Sequence, residues 1–219
     1  MKKVLTIIAF LFCLTTINAQ TNLYENPAFD EIAKTHKIIA VVPFKTQVEL
    51  RPKQMKDMTE EQLHRLEKAE GEGIQTAMHS WFLKRKKRGD LQTIDVQDPK
   101  TTTALLKRND IDYDNITEYT PQELAKLLEV DAVISGEFQT NKPMSEGAGA
   151  VLGVLVGFWG ATNNAVINMS VHNAADGVLL WNYNKKVSGS LGSSSEDLIN
   201  VLMRKASRRL AYTKNGKDD

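Results

Sequence analysis

Two hydrophobic periods alternate along the chain, and they predict a mixture of helices and strands. A continuous apolar run within Lys37–Leu50 is typical of a strand covered on both faces, and Pro43 should interrupt its pairing because proline has no backbone donor. Thr59–Arg88 has apolar residues three and four positions apart, as on one face of a long helix. Residues 165–172 alternate strictly between apolar and polar, which predicts a half-solvated antiparallel strand.

The long helix carries local signals at both ends and in its interior. Thr59 and Gln62 stand three residues apart, which is the spacing of a capping box. Gly89 is placed to end the helix in a left-handed conformation. Gly71 and Gly73 lie inside it, where each weakens a helix by about 1 kcal/mol relative to alanine. We therefore expect a bend or a close backbone contact at these two glycines.

The remaining elements follow from shorter patterns. They are a short strand at 91–96, helices at 99–108 and 120–128, strands at 130–140 and 178–187, a hairpin turn at 173–177 and a last helix at 196–212. This order predicts an α/β (α+β) fold, a two-layer sandwich with a mixed sheet. In this fold an apolar, glycine-rich insertion precedes a C-terminal β-hairpin and helix.

The first nineteen residues have the features of a secretory signal. Lys2 and Lys3 precede an apolar run that is too short to span a bilayer, and Ala19 offers a small residue for cleavage. The expected organisation is a signal peptide at 1–19, a polar lead-in at 20–36, a single domain at 37–213 and a polar tail at 214–219. We expect an exported protein of the periplasm or the outer-membrane periphery.

The net charge bears on the class of partner, and the single cysteine bears on lipid anchoring and disulfide formation. Without Lys2 and Lys3 the 28 basic residues become 26 against 27 acidic ones, so the predicted mature chain is nearly neutral and its overall charge does not indicate nucleic-acid binding. The single cysteine, Cys13, lies in the predicted signal and follows Phe12 rather than a small residue. We therefore expect neither a lipid anchor nor a disulfide. The stability of the domain should then depend on its hydrophobic core.

Several stretches resemble a known family. Ile38–Phe44 is similar to the first strand of a periplasmic α/β domain found in the curli secretion channel family and in the amino-terminal domain of the Tol-Pal translocation protein. Leu124–Gly136, and Trp181 beside Asp176-Gly177, are also similar. The resemblance covers roughly Lys37–Tyr212, and it implies a non-enzymatic envelope component that works through partners or by assembling into rings. The chain departs from that group in lacking its lipid-anchor cysteine and its long membrane-spanning hairpins.

The glycine-rich segment 147–161 is the sharpest candidate for an interaction site. Gly149, Gly153 and Gly157 are four residues apart, so on a helix they form a smooth stripe that lets two backbones approach closely. Fifteen helical residues reach only about 22 Å, which is short of a bilayer core of about 30 Å. Phe158 and Trp159 add large apolar groups at the end of the segment, and Trp159 is suited to an interface.

Three interpretations of this segment remain open. It is a loop folded over the domain's own core, a helix or hairpin that self-associates or touches a membrane, or a glycine loop that binds a ligand. A phosphate-binding loop requires a Lys and a Ser or Thr at a defined spacing after its glycines, and this segment has neither.

The run Lys84-Arg85-Lys86-Lys87-Arg88 is the strongest charge cluster. At a helix C-terminus, cations complement the helix dipole, so a solvated helix end explains the run without any partner. The alternative is contact with anionic lipid headgroups or another acidic envelope surface. Arg204, Lys205, Arg208 and Arg209 would extend such a surface if they lay beside it.

The sequence offers no arrangement typical of catalysis, a cofactor or a bound metal. The histidines His36, His64, His79 and His172 are not at metal-ligand spacing. The leading hypothesis is therefore a non-catalytic envelope protein that binds an envelope partner, or another copy of itself, through 147–161, with peripheral membrane contact. The alternative is a soluble periplasmic enzyme or ligand-binding domain with a pocket beside that segment.

Overall fold

The computed structural model describes residues 21–50, 52–56, 58–91, 94–141, 163–189 and 195–213. The strands are β1 (Thr21–Glu25), β2 (Ile38–Val41), β3 (Lys45–Val48), β4 (Asp95–Val96), β5 (Ala132–Thr140), β6 (Asn163–Asn173) and β7 (Leu179–Gly189). The helices are α1 (Phe29–Ala33), α2 (Pro52–Met55), α3 (Glu60–Arg88), α4 (Pro99–Arg108), α5 (Pro121–Leu128) and α6 (Ser195–Ala206). Short 3-10 turns occupy Ile116–Glu118 and Ser207–Arg209.

All seven strands belong to one mixed sheet in the order β1-β7-β6-β5-β2-β4, with β3 also pairing with β5. β2, β3 and β4 join by parallel pairing, whereas β5, β6, β7 and β1 pair antiparallel. The break between β2 and β3 falls at Pro43, as its missing donor predicts. The predicted mixed-sheet α/β fold is confirmed.

The two faces of the sheet differ in what covers them. One face packs against α3 and α6 over the main core, which includes Phe44, Phe82, Phe138 and Trp181. On the other face α4 and α5 cover β2 and the start of β5, around Val42 and Val133. The predicted alternation of β6 is also present, since Ala165, Ile167, Met169 and Val171 are buried and the residues between them are half-exposed.

Residues 21–36 are not a lead-in outside the domain, contrary to the boundary expected at Lys37. β1 pairs along its whole length with β7, from Thr21↔Lys185 to Glu25↔Trp181. Phe29, on α1, is 0% exposed and packs edge-on against Tyr212. The segment has a polar sequence because an edge strand with one solvated face needs only a single inward apolar side chain, here Leu23.

Two predicted elements are shorter in the structure than the sequence indicated. Among the described residues of the strand expected at 91–96, Asp95–Val96 join the sheet, whereas Leu91 pairs with Thr213 in an isolated antiparallel bridge. The last helix ends at Ala206 and continues as the 3-10 turn Ser207–Arg209.

The signals predicted for α3 are present. Thr59 and Gln62 form the reciprocal capping box, and Gly89 ends the helix with a φ of 73°. Gly71 makes the close backbone contact expected of one of the two glycines, since a Cβ at this position would overlap the carbonyl oxygen of Phe44. This contact fixes how closely α3 approaches the start of β3.

The outer edge of β3 is satisfied by side chains rather than by another strand. The Tyr113 hydroxyl accepts a hydrogen bond from the Thr46 backbone N–H at 2.9 Å and donates to the Thr46 carbonyl at 3.2 Å. The Glu67 carboxylate accepts from the Val48 N–H at 3.0 Å. These contacts block an edge that would otherwise be open to another chain.

Candidate functional site

The predicted interaction residues Gly149, Gly153, Gly157, Phe158 and Trp159 lie outside the described residues. What the structure does describe is the pair of strands that carries them. β5 and β6 pair continuously from Ala132↔Asn173 to Thr140↔Ala165. Segment 142–162 therefore leaves and re-enters the sheet at one end, and we call this end, where β5 stops and β6 starts, the insertion pole.

The N-terminal strand is anchored on the same side. Thr21 pairs with Lys185, four residues before the end of β7 at Gly189, and Gly189 pairs with Asn163 at the start of β6. The chain therefore enters its first strand near the insertion pole.

The long helix runs from the insertion pole towards the opposite end of the sheet. Its Glu67 bonds Val48, Gly71 contacts Phe44, and Lys86 pairs with Asp95 beside the start of β2. We call this opposite end, where β2 and β5 start, the helix-end pole. The bridge between Leu91 and Thr213 brings the end of the α6 region to the same pole.

The basic run of α3 is at the helix-end pole, and its Arg85 and Lys86 contact acidic residues of the domain. The Arg85 guanidinium lies 5.1 Å from the centre of the Trp81 ring and 3.4 Å from an Asp90 carboxylate oxygen. Lys86 forms an ion pair with Asp95. These two cations therefore have a structural role, which the sequence did not reveal because it depends on acidic residues beyond Gly89.

The outward part of the run is Lys84, Lys87 and Arg88, all of which are exposed. Arg204 and Arg209 are exposed at the end of the α6 region, which the Leu91–Thr213 bridge holds at the same pole. This places the second group of basic residues at the same end of the molecule as the first. The glycine-rich segment and the basic run consequently join the domain at opposite poles, separated by the nine-residue β5, which is about 30 Å long.

A cleft of about 670 Å³ opens at the helix-end pole, where loops before β2 and β5 meet the end of β6. Its wall includes His36, Asp131 and Asn173 together with Glu123 and Lys126. Glu123 belongs to the N-terminal capping box of α5, and its bonds to the Thr120 backbone N–H and hydroxyl lower its pKa.

A chain of hydrogen bonds runs beneath this cleft and orients His36, which is 5% exposed. Asn173 Nδ2 donates to Asp176 Oδ1 at 2.9 Å, which leaves Asn173 Oδ1, 3.1 Å from His36 Nε2, as an acceptor. Nε2 therefore carries the hydrogen, and in the neutral ring Nδ1 accepts from the Tyr212 hydroxyl at 2.7 Å. Burial raises the pKa of Tyr212, so its hydroxyl keeps the proton that it donates.

Asp131 closes the other side of the cleft and ties two strands together. Its Oδ2 accepts from the backbone N–H groups of Lys37 at 2.6 Å and Ile38 at 2.9 Å. One carboxylate oxygen thus satisfies both donors where β2 begins. These bonds give Asp131 a positioning role in the fold.

The expectation of a pocket beside the glycine-rich segment stays a prediction, because residues 142–162 lie outside the described ranges. The cleft at His36 is at the other pole, and a second cleft, of about 490 Å³, lies between α3 and α4 around Gln75 and Pro99. Within the described ranges, no group of three or more His, Cys, Asp or Glu residues is arranged to hold a metal ion. No described helix is long and apolar enough to cross a membrane.

The remaining histidines lie apart from one another. His64 Nε2 is 3.0 Å from an Asp114 carboxylate oxygen at the surface. His172, on β6, has a buried Nδ1 without a hydrogen-bond partner, and burial lowers the pKa of this ring. The sequence showed that His172 belongs to the solvated face of β6, but not that α5 packs beside it.

No protein-family model matches the chain, and no curated protein matches it. Among solved structures, the lipoprotein GNA1162 from Neisseria meningitidis is 16% identical, with a TM-score of 0.43 over 80% of this chain and 98% of that chain. A PelC dodecamer from Paraburkholderia phytofirmans is 11% identical, with a TM-score of 0.37 over 89% and 96%. The LpoB C-terminal domain from Escherichia coli is 9% identical, with a TM-score of 0.37 over 73% and 94%.

With TM-scores below 0.5, these similarities define neither the fold nor the function of this chain. None of the three structures is a curli secretion channel or a Tol-Pal protein. The resemblance to those two groups therefore stays a prediction.

Proposed function

We propose that this protein is an exported, non-catalytic component of the cell envelope that binds a partner protein, or another copy of itself, through segment 147–161. The small residues Gly149, Gly153 and Gly157 would allow close backbone approach, and Phe158 and Trp159 would supply apolar contact area. The absence of a lipid anchor stays a prediction of the sequence.

The observation that carries this proposal is the strand pair from which the segment emerges. Both ends of segment 142–162 leave neighbouring strands of one antiparallel ladder, which Thr140↔Ala165 closes. Thr140 and Ala165, which flank the segment, are therefore about 5 Å apart in the sheet. The domain therefore presents the segment from a rigid base at one pole.

Replacement of residues 147–161 by an equally long Gly/Ser sequence tests the proposal. We expect the mature wild-type chain to exceed the monomer mass, or to capture a defined envelope protein by cross-linking, and the replacement to lose this property. A Phe158→Ser/Trp159→Ser variant should weaken it, and a Lys100→Ala/Lys107→Ala variant at exposed positions of α4 is the control. A monomeric wild-type chain with the same cross-linked partners as the replacement would refute the proposal.

We also propose that the exposed cations of the helix-end pole contact an anionic surface such as lipid headgroups. Lys87 and Arg88 supply exposed charge on α3, and Arg204 and Arg209 extend it at the same pole. Arg85 and Lys86 contribute less, because Asp90 and Asp95 partly neutralise them. Because each basic residue near an anionic membrane contributes about 1 kcal/mol, three or more exposed cations are enough for weak, salt-sensitive attachment.

Cosedimentation with vesicles tests this second contact. The mature chain should bind vesicles containing phosphatidylglycerol more than vesicles of phosphatidylcholine, and salt should weaken the binding through screening. Lys87→Glu/Arg88→Glu should abolish most of it, whereas Arg85→Gln, a change at an internally paired cation, should have the smaller effect. Equal binding to both kinds of vesicle would contradict the proposal.

A further inference from the structure

The face of the sheet opposite α3 and α6 carries an ordered set of uncharged polar side chains. In the strand register, Asn168 on β6, Asn184 on β7 and Asn22 on β1 form one cross-strand row. Ser170, Asn182 and Tyr24 form the next row on the same strands. We call these two rows the amide face: Asn22, Tyr24, Asn168, Ser170, Asn182 and Asn184.

None of the six residues of the amide face belongs to the apolar cluster that α4 and α5 cover, and two of them are exposed while four are half-buried. On this side of the sheet α4 and α5 pack over β2 and the start of β5, near Val133. Tyr24 is 46% exposed, and Asn22 is also exposed. Among the described residues of these strands, the formal charges on this side lie at the border, with Glu137 opposite Asn168 and with Lys186 two residues beyond Asn184.

Hydrogen bonds within the amide face fix the direction of its donors and acceptors. The Asn182 side-chain nitrogen donates to Asn168 Oδ1 at 2.8 Å and to Ser170 Oγ at 2.9 Å. With its nitrogen engaged in this way, Asn182 retains its Oδ1 as an acceptor, and Asn168, whose Oδ1 is engaged, retains its Nδ2 as a donor. All three side chains are half-buried, so this arrangement is held by the sheet.

We propose that the amide face binds an uncharged glycan chain, built of hexoses that present hydroxyl groups. A sugar hydroxyl both donates and accepts, so it matches a neighbouring acceptor and donor such as Asn182 Oδ1 and Asn168 Nδ2. The exposed ring of Tyr24 offers an apolar surface on which the C–H face of a sugar stacks. Three strands span about 10 Å and the two rows are about 7 Å apart, which is the footprint of a short oligosaccharide.

Other classes of ligand fit this surface less well. The centre of a protein–protein interface is typically apolar and depleted in serine, whereas five of the six side chains here are amides or a hydroxyl. A nucleic acid requires several cations for its phosphates, and the amide face itself contains none. The absence of charge on the face therefore complements a neutral polymer.

Titration of the mature chain with the tetrasaccharides of N-acetylglucosamine and of glucose, followed by NMR or calorimetry, tests this inference. We expect saturable binding of at least one of them at or below about 1 mM. Tyr24→Ala should weaken it about tenfold and Tyr24→Phe should preserve it, because the ring provides the contact. Asn168→Asp keeps the acceptor used by Asn182 but removes the donor, and it should also weaken binding about tenfold.

Leu83→Ala is the matched control, because Leu83 is 47% exposed on α3, away from the amide face. Circular dichroism should show each variant folded, since Tyr24 lies on an edge strand. No saturable binding of either tetrasaccharide, or binding that Tyr24→Ala and Asn168→Asp leave unchanged, would overturn the inference. Binding of the sugar at a different surface would also overturn it, and so would Tyr24-dependent binding of a polyanion but of neither tetrasaccharide.

The inference does not depend on segment 147–161. The mass of the chain, measured in the same samples, therefore reports separately on the proposed function.

Discussion

At the scale of single residues, the carboxylate of Asp131 holds the start of β2 beside the start of β5. It stands at the start of β5 and binds the two backbone donors that begin β2. A sequence pattern shows an acidic residue before a strand, but the donors come from Lys37 and Ile38, more than ninety positions earlier. Its role was therefore not predictable from neighbouring residues.

Substitution of Asp131 should destabilise the fold. Asp131→Ala removes the acceptor shared by the exposed Lys37 N–H and the part-buried Ile38 N–H, and each such hydrogen bond typically contributes about 0.5–1.5 kcal/mol. Urea unfolding should show this loss of free energy. Asp114→Ala is the control, since the exposed pair of Asp114 with His64 should contribute less than about 1 kcal/mol. Equal stabilities for the two variants would argue against the role of Asp131.

His172 should make stability depend on pH on the acidic side. Burial holds the pKa of the folded ring below its ordinary value of 6.5, so below pH 6.5 the unfolded chain takes up a proton first. Stability should therefore fall as the pH drops below 6.5, until the pH passes the lowered pKa, and it should be unaffected by this ring at higher pH. Chemical denaturation of wild type and His172→Gln between pH 4 and 8 measures the effect, and the variant should have the shallower slope because glutamine takes up no proton.

At the scale of elements, the sequence predicted the features that depend on residues close together in the chain, such as helix ends. The capping box of Thr59 and the left-handed end at Gly89 are in the structure because both depend on the helix's own backbone. β1 was missed because its partner β7 lies about 160 positions away in the chain, and Leu23 is its single inward apolar residue. Pairing over such a distance leaves no periodicity in so short a segment.

Gly71 should tolerate no side chain, although it lies inside a helix. Alanine gains about 1 kcal/mol in helix propensity over glycine, but its methyl group would overlap the Phe44 carbonyl oxygen. Overpacking of this kind typically costs about 1–3 kcal/mol, so we expect Gly71→Ala to lower the free energy of unfolding. Thermal and urea unfolding measure it, and Glu72→Ala at the next, exposed position should change stability by less than about 0.5 kcal/mol.

The Tyr113 hydroxyl should matter for the edge of β3. Tyr113→Phe keeps the ring but leaves the Thr46 N–H and carbonyl without their partner, at about 1–2 kcal/mol. Hydrogen exchange should become faster at the Thr46 amide in particular. Tyr119→Phe, which changes a half-buried tyrosine of the following segment, serves as the control. Unchanged exchange at Thr46 would contradict the assignment.

At the scale of the whole molecule, the relative positions of the candidate sites follow from topology. The sequence indicated both the glycine-rich segment and the basic run, but their placement at opposite poles depends on strand order and on the direction of α3. The amide face likewise exists only because β6, β7 and β1 pair in one register. Such relations between distant residues are set by the fold and have no local pattern.

Removal of residues 20–27 tests the enlarged domain boundary. A chain that starts at Ala28 lacks β1 and exposes the edge of β7, so we expect a loss of about 2–4 kcal/mol from the missing ladder hydrogen bonds. The open edge should also promote association that rises with concentration. Removal of the predicted tail, 214–219, is the comparison and should leave stability nearly unchanged. A shortened chain as stable as wild type would place the boundary back at Lys37.

If residues 1–19 act as the predicted secretory signal, the pairing of Thr21 with Lys185 has a consequence for export. If the leader is cut after Ala19, one residue separates the cleavage point from the first strand, a reach of about 7 Å. While the leader is still held in the membrane, β1 can dock onto β7 only if that side of the sheet lies against the bilayer. Cleavage by the signal peptidase would remove this constraint on the orientation of the domain. The pairing of β1 with β7 would then be completed in any orientation only after cleavage.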